Sequence, residues 1–254
     1  MMPARFCMPG LAVTIGLAAV AVPLLSVAVP AQAAAGGSGG GRGLASAWAS
    51  APSVISNTSF AGYQASVAPG SATSSAAQFK VPRLSCTAAD RGITSGAGAV
   101  VNNFRSDSFA FLFVACHRGR AVYFPALTIN GNEVNYTTPV RAGNVIKVSA
   151  KVTTRGTTVQ VTDVTTGVTK RRTGPGARSS AAFAGDDNAF LNGTMLGVPS
   201  FGTLTFTSCF VDGRALARSH PFRYQRVNRR NIVQIATGAL SSGGTAFPTY
   251  YRHF

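Results

Sequence analysis

Acidic side chains are scarce in this chain: its 254 residues include only 7 Asp and Glu against 23 Lys and Arg, a formal charge of +16 at neutral pH. Chemistry that needs several carboxylates is short of material here. Retaining or inverting glycoside hydrolysis requires two carboxyl groups flanking the scissile bond, whereas Glu133 is the sole glutamate and no strand-like segment alternates acidic residues. Histidine is equally thin. His117, His220 and His253 stand far apart, and neither Cys-x-x-Cys nor His-x-x-x-His occurs, so neither a metal site nor a cofactor is expected. Beyond residue 33 no apolar run is long enough to cross a bilayer. Helical periodicity is absent too, which excludes helix bundles and doubly wound folds.

What is present begins with an address label. Arg5 supplies a positive start, Leu11 to Val29 an apolar stretch and "AQA" at Ala31 to Ala33 a small-residue cleavage site, so residues 1–33 read as a secretory signal peptide. The expected location is secreted or associated with the cell envelope. Residues 34–56, opening with "AAGGSGGGRG", read as a Gly/Ala/Ser-rich linker, and 57–254 as one β domain. Cys7 leaves with the signal. Cys86, Cys116 and Cys209 remain, enough for one disulfide and one thiol, with three pairings open. Loss of Arg5 lowers the charge from +16 to +15, still a balance that favours an acidic extracellular polymer or polypeptide as partner over intracellular nucleic acid.

From Asn57 onward, short runs rich in Val, Thr, Phe and Tyr are punctuated by Gly, Asn and Pro, the pattern of an all-β sandwich or barrel. The clearest strands are Ser59 to Val67, Ala76 to Pro82, Ser108 to Cys116, Ala121 to Ile129, Asn144 to Gly156, Thr157 to Gly167, Gly202 to Phe210 and Asn231 to Gly238. Ser108 to Cys116, "SFAFLFVAC", is nearly all apolar and so belongs in mid-sheet, covered on both faces. In "NVIKVSAKVTTRG", alternation sets Lys147, Lys151 and Arg155 on one face and Val148 and Val152 on the other. Those three cations are the candidate ligand-binding residues. A second basic stretch, Arg214 to Arg230, reads as an exposed connection or as a polyanion surface.

Five pieces in this order resemble the eqolisins, the glutamic peptidases: "SFAGYQA", "FKVPRLSC", "VACHRGRAVYFPAL", "VRAGNVIKVSAKVT" with "VTDVTTG", and "FGTLTFTSC". They span Ser59 to Cys209. The resemblance implies a concanavalin-like β-sandwich of two curved antiparallel sheets with a substrate groove on a concave face. It also implies a disulfide between Cys86 and Cys116, leaving Cys209 as a buried apolar residue or a free thiol.

The family's chemistry joins a glutamate, as general base, to a glutamine whose amide holds the oxyanion. The family's Asn-Ala-Glu-Trp text matches Asn188, Ala189, Phe190 and Leu191 here, which puts Phe190 at the glutamate position. The glutamine's strand matches Ser108 to Cys116, where no amide side chain stands. Asp187 and Glu133 are the only substitutes offered as a relocated base. The run "GDDN", Gly185 to Asn188, reads as an Asp/Asn turn, with a loop calcium site as its alternative. The expectation is thus a non-catalytic, glutamic-peptidase-like β-sandwich. A divergent acid-acting endopeptidase and a lectin-like carbohydrate binder are the alternatives.

Overall fold

The computed structural model describes residues 53–68, 73–90, 93–102, 107–176, 179–188, 190–191 and 194–252. The signal peptide and most of the linker expected from the sequence lie outside them. The first strands are β1 Val54–Asn57, β2 Phe60–Ser66, β3 Thr73–Lys80, β4 Ile93–Asn102, β5 Asp107–His117 and β6 Arg120–Ile129. Next come β7 Asn132–Asn135, β8 Val145–Val152, β9 Thr157–Asp163, β10 Thr169–Gly174, β11 Ala181–Asn188 and β12 Phe190–Leu191. The last six are β13 Thr194–Met195, β14 Thr203–Val211, β15 Arg214–Ala215, β16 Phe222–Val227, β17 Val233–Thr237 and β18 Phe247–Tyr251. Among the described residues the one helical element is a 3-10 turn, Leu216–Ser219, and no helix is long and apolar enough to cross a membrane.

Sixteen strands join in one hydrogen-bonded sheet, ordered β10-β9-β8-β3-β14-β18-β17-β16-β2-β11-β4-β5-β6-β7, with β1 on β16 and β15 on β14. All pairings are antiparallel except β1 with β16. The sheet doubles back on itself. β3, β8 and β9 pack over β4, β5 and β6, so two layers enclose a core and the architecture is an all-β sandwich. Alternation explains the core: β8 and β9 turn Ile146, Val148, Val152, Val159 and Val161 inward, against Ala97, Leu112, Val114 and Leu127.

β5 lies between β4 and β6 and is buried from Ser108 to Cys116, as its continuous apolar run predicts. The disulfide joins Cys86 to Cys116, with Cα atoms 5.5 Å apart, and Cys209 is a free, buried thiol that burial pushes up to about 12.

Two expectations are corrected. "GDDN" is no turn: Gly185 to Asn188 is the second half of β11, with Gly185 to Asp187 paired to both β2 and β4 and Asn188 to β4. Gly185 faces Gly62 of β2, both at positive φ (154° and 145°), and a Cβ on Gly185 would stand 2.2 Å from the Ala61 carbonyl oxygen. Only glycine permits that approach. Likewise Arg214 to Arg230 is not simply a connection: β15, the 3-10 turn and β16 occupy much of it and Arg226 is 1% exposed, while Arg214, Arg218, Arg229 and Arg230 are exposed as expected.

Candidate functional site

The strand matched to the family's glutamine, β5, presents Phe109, Phe111 and Phe113 on the face turned away from the main core, where they form a second cluster with Phe60, Val100 and Phe183. Phe109 stacks on Phe111 with ring centroids 4.6 Å apart, and Phe60 meets Phe183 edge-on at 4.5 Å. Beneath Phe111 lies Gly98 of β4, where a Cβ would fall 2.0 Å from the ring. This part of the face is therefore an apolar packing of rings on a glycine floor. It offers neither a general base nor an amide donor.

Phe190, at the position matched to the glutamate, begins β12, which pairs only with β13 outside the large sheet. The sheet strand that precedes Phe201, Gly202 and Thr203 is β11, and its only carboxyl groups are Asp186 and Asp187. Both are buried, at 0% and 1% exposure. Asp186 Oδ2 accepts a hydrogen bond from Thr249 Oγ1 at 2.7 Å, while its Oδ1 has no partner. Burial pushes the Asp186 carboxyl up to about 7; the Thr249 hydrogen bond and the Arg226 charge oppose this only in part. Arg226 donates from Nη2 to the Leu196 carbonyl at 3.2 Å, and its Nε and Nη1 make no hydrogen bond. Burial lowers its pKa to about 10 against the attraction of Asp187 and Asp186, so it remains charged at neutral pH.

The two substitute bases are not brought together. Asp187 is on β11 and Glu133 on β7, with β4, β5 and β6 between them: four strand spacings, about 19 Å. Glu133 accepts from Asn135 Nδ2 at 3.0 Å, and burial pushes it up to about 7. Among the described residues no group of three His, Cys, Asp or Glu side chains stands close enough to hold a metal ion.

The basic residues assemble differently. Lys147 and Lys151 project outward from β8, and Arg155 is exposed in the turn that follows it. Register extends this face across five strands. Gln78 of β3 lies beside Lys147, Ser149 beside Gln160 of β9, and Gln160 beside Arg171 of β10. The outward residues of β10, β9, β8, β3 and β14 are Thr, Ser, Gln and Ala together with Val145, Lys80, Lys147, Lys151, Arg171 and Phe210; none is a carboxylate, and just past β14 Asp212 Oδ1 accepts from the Ser74 backbone amide at 2.6 Å. Two depressions of about 540 and 420 Å³ open on it, one beside Lys80 and Thr205, the other beside Lys147, Gln78 and Phe210.

Acidic groups, meanwhile, are withdrawn. Three of the seven, Asp163, Asp186 and Asp187, are buried, so the surface is more positive than the formal charge suggests. Asp163 is consumed locally, accepting from Asn144 Nδ2 and from the Thr165 and Thr166 backbone amides. Sequence reasoning missed Lys80 and Arg171, although the alternation in "TSSAAQFK" and "TKRRTG" carries their outward direction. It had no signal for the meeting of Arg226 with Asp186 and Asp187, which lie about forty residues earlier in the chain.

No protein-family model matches the chain, and no curated protein does. Solved structures do resemble it. Scytalido-glutamic peptidase with a transition state analog inhibitor superposes with a TM-score of 0.64 at 15% identity, covering 77% of this chain and 98% of that one. SCP-B, a member of the eqolisin family in a complex with the tripeptide Ala-Ile-His, gives 0.62 at 15% identity over 77% and 98%. Aspergilloglutamic peptidase from Aspergillus niger gives 0.52 at 14% identity over 63% of this chain and 99% of that one. Identities this low speak for the fold alone, and on that evidence the chain has the β-sandwich fold of the eqolisins.

Proposed function

We propose that this chain is an exported, non-catalytic protein of eqolisin-like fold that holds an acidic extracellular polymer on the outward face of the β10-β9-β8-β3-β14 layer. The observation that carries the reading is the charge balance of that face: the five strands turn Lys80, Lys147, Lys151 and Arg171 outward and no carboxylate, and the one acidic group at its margin, Asp212, is engaged with Ser74. Exposed cations attract a polyanion through charge and counterion release, so affinity depends on ionic strength. Arg155 extends the cationic row at the end of β8. The absence of catalysis rests on the two family positions, where β5 supplies phenylalanines for an amide and neither β11 nor β12 holds a glutamate.

The alternative, a divergent endopeptidase acting at acid pH, would need Asp187 or Glu133 as the base. Asp187 is buried away from solvent, and Glu133 stands at the far edge of the sheet with no amide donor opposite it on β5 or β6. A lectin-like mode indifferent to charge would leave the cations without a role. The test is binding of the purified protein to acidic and neutral polymers over a range of salt. Affinity for acidic polymers that falls steeply with salt is expected. Binding only to neutral glucans, unchanged by salt, would overturn the charge reading.

A further inference from the structure

We infer that the cationic face is built for one class of polyanion, a polysaccharide with carboxylates at intervals, lying across the strands in a trough that runs from Phe210 to Arg171. This inference rests on the polyanion reading above. The register supplies the trough. Phe210 of β14 is opposite Ala76 of β3, Ala76 opposite Ser149 of β8, Ser149 opposite Gln160 of β9, and Gln160 opposite Arg171 of β10. Four strand spacings make this row about 19 Å long. Its middle is low, because Ala76 and Ser149 are the smallest outward side chains there. Its banks are high: Lys147 and Lys151 stand two residues to either side of Ser149 on β8, about 13 Å apart.

Each part of the trough suits a sugar chain better than the other polyanions. Phe210 is 36% exposed and is the one aromatic side chain that the five strands turn outward, on a face otherwise of polar or small side chains apart from Val145. Beside it is the smaller depression, lined by Ser74, Ala76, Gln78, Lys147 and Ser208. An exposed ring over a small-residue floor receives the apolar face of a pyranose, while the hydroxyl and amide groups of Ser149, Gln160 and Gln78 match sugar hydroxyls.

The charges are sparse: Lys147 and Lys151 flank the row at β8 and Arg171 ends it on β10, with the neutral hydrogen-bonding groups of Ser149 and Gln160 between them. A nucleic acid carries a phosphate about every 3.4 Å per strand and is held by aromatics interleaved with cations. Here one ring stands at one end. An acidic polypeptide would seek an open strand edge for its backbone, but the row crosses the middle of five paired strands, whose backbone groups are already used in the ladders.

Three probes and two variants of the full protein separate these outcomes: polygalacturonate, its methyl ester and inorganic polyphosphate, each titrated at several salt concentrations. Polygalacturonate is expected to bind, and its neutral methyl ester to bind far more weakly. Phe210→Ala should weaken polygalacturonate up to about tenfold with the salt slope unchanged, since it removes ring stacking and no charge. Lys147→Gln with Lys151→Gln should flatten the salt slope. All these residues point outward, and unchanged unfolding midpoints verify that the variants fold. If polyphosphate binds as tightly as polygalacturonate and Phe210→Ala changes neither, the sugar inference is overturned while the polyanion reading stands. If no acidic polymer binds, both fall.

Discussion

Replacing Asp186 by asparagine should make this protein more stable at neutral pH, although the change deletes a buried charge beside a buried arginine. In the fold the Asp186 carboxyl is pushed from 3.8 to about 7 because desolvation outweighs the Thr249 hydrogen bond and the Arg226 charge. A carboxyl raised in the folded state binds more protons there than in the unfolded chain. Stability contributed by this group therefore falls as pH rises from about 4 to about 7, and the penalty is complete above that window. At 1.36 kcal/mol per pKa unit the penalty at pH 8 has a ceiling of about 4 kcal/mol.

Asparagine cannot ionise and its carbonyl still accepts from Thr249, so the variant should match the parent near pH 4 and exceed it by up to that ceiling at pH 8. Urea midpoints from pH 4 to 8 measure this directly. Glu133, also raised to about 7 by burial, leaves a residual slope of the same sign in both proteins. Should the asparagine variant be clearly less stable than the parent at pH 8 while equal at pH 4, ionised Asp186 would be a net stabilising partner of Arg226, and the desolvation argument would fail.

Three further outcomes follow from the structure. The Cys86–Cys116 bridge spans a sequence separation of 30, so alanine at both positions should cost roughly 3 to 4 kcal/mol on a chain-entropy estimate, read from urea unfolding; a loss below about 1 kcal/mol would contradict it. Gly98→Ala would set a Cβ 2.0 Å from Phe111 and 2.2 Å from the Ala110 carbonyl oxygen, and should destabilise by about 1 to 3 kcal/mol or more. Phe111→Ala in the same chain should cost less than the sum of the two single changes, and strict additivity would show that ring and Cβ do not compete. The unmodified protein should not cleave an unfolded protein substrate between about pH 2 and 7, nor should Phe190→Glu, because a missing oxyanion donor alone typically costs about 10² to 10³ in rate. Robust turnover abolished by Asp187→Asn or Glu133→Gln would show that the chemistry had moved.

Local pattern was enough for the strands that carry their own signal. The apolar run Ser108 to Cys116 announces a central strand, and period-two alternation around Val148 and Val152 turns Lys147 and Lys151 outward whatever the partners of that strand. Ordered motifs carried the fold resemblance and the Cys86–Cys116 pairing. Pattern failed where burial came from neighbours. β4, "ITSGAGAVVN", and β11, "AAFAGDDN", hold small residues with weak strand preference; they are strands because each is paired on both sides, and their glycines leave the room that Phe60 and Phe111 occupy. Arg226 reads as one more exposed arginine until β1, β17 and the Leu196 backbone close around it. The cationic face was legible only strand by strand. Alternation decides which way a side chain points, but long-range pairing decides which strands lie side by side, and only the contact of β3 with β14, about 130 residues apart, brings Phe210 to the trough flanked by Lys147 and Lys151.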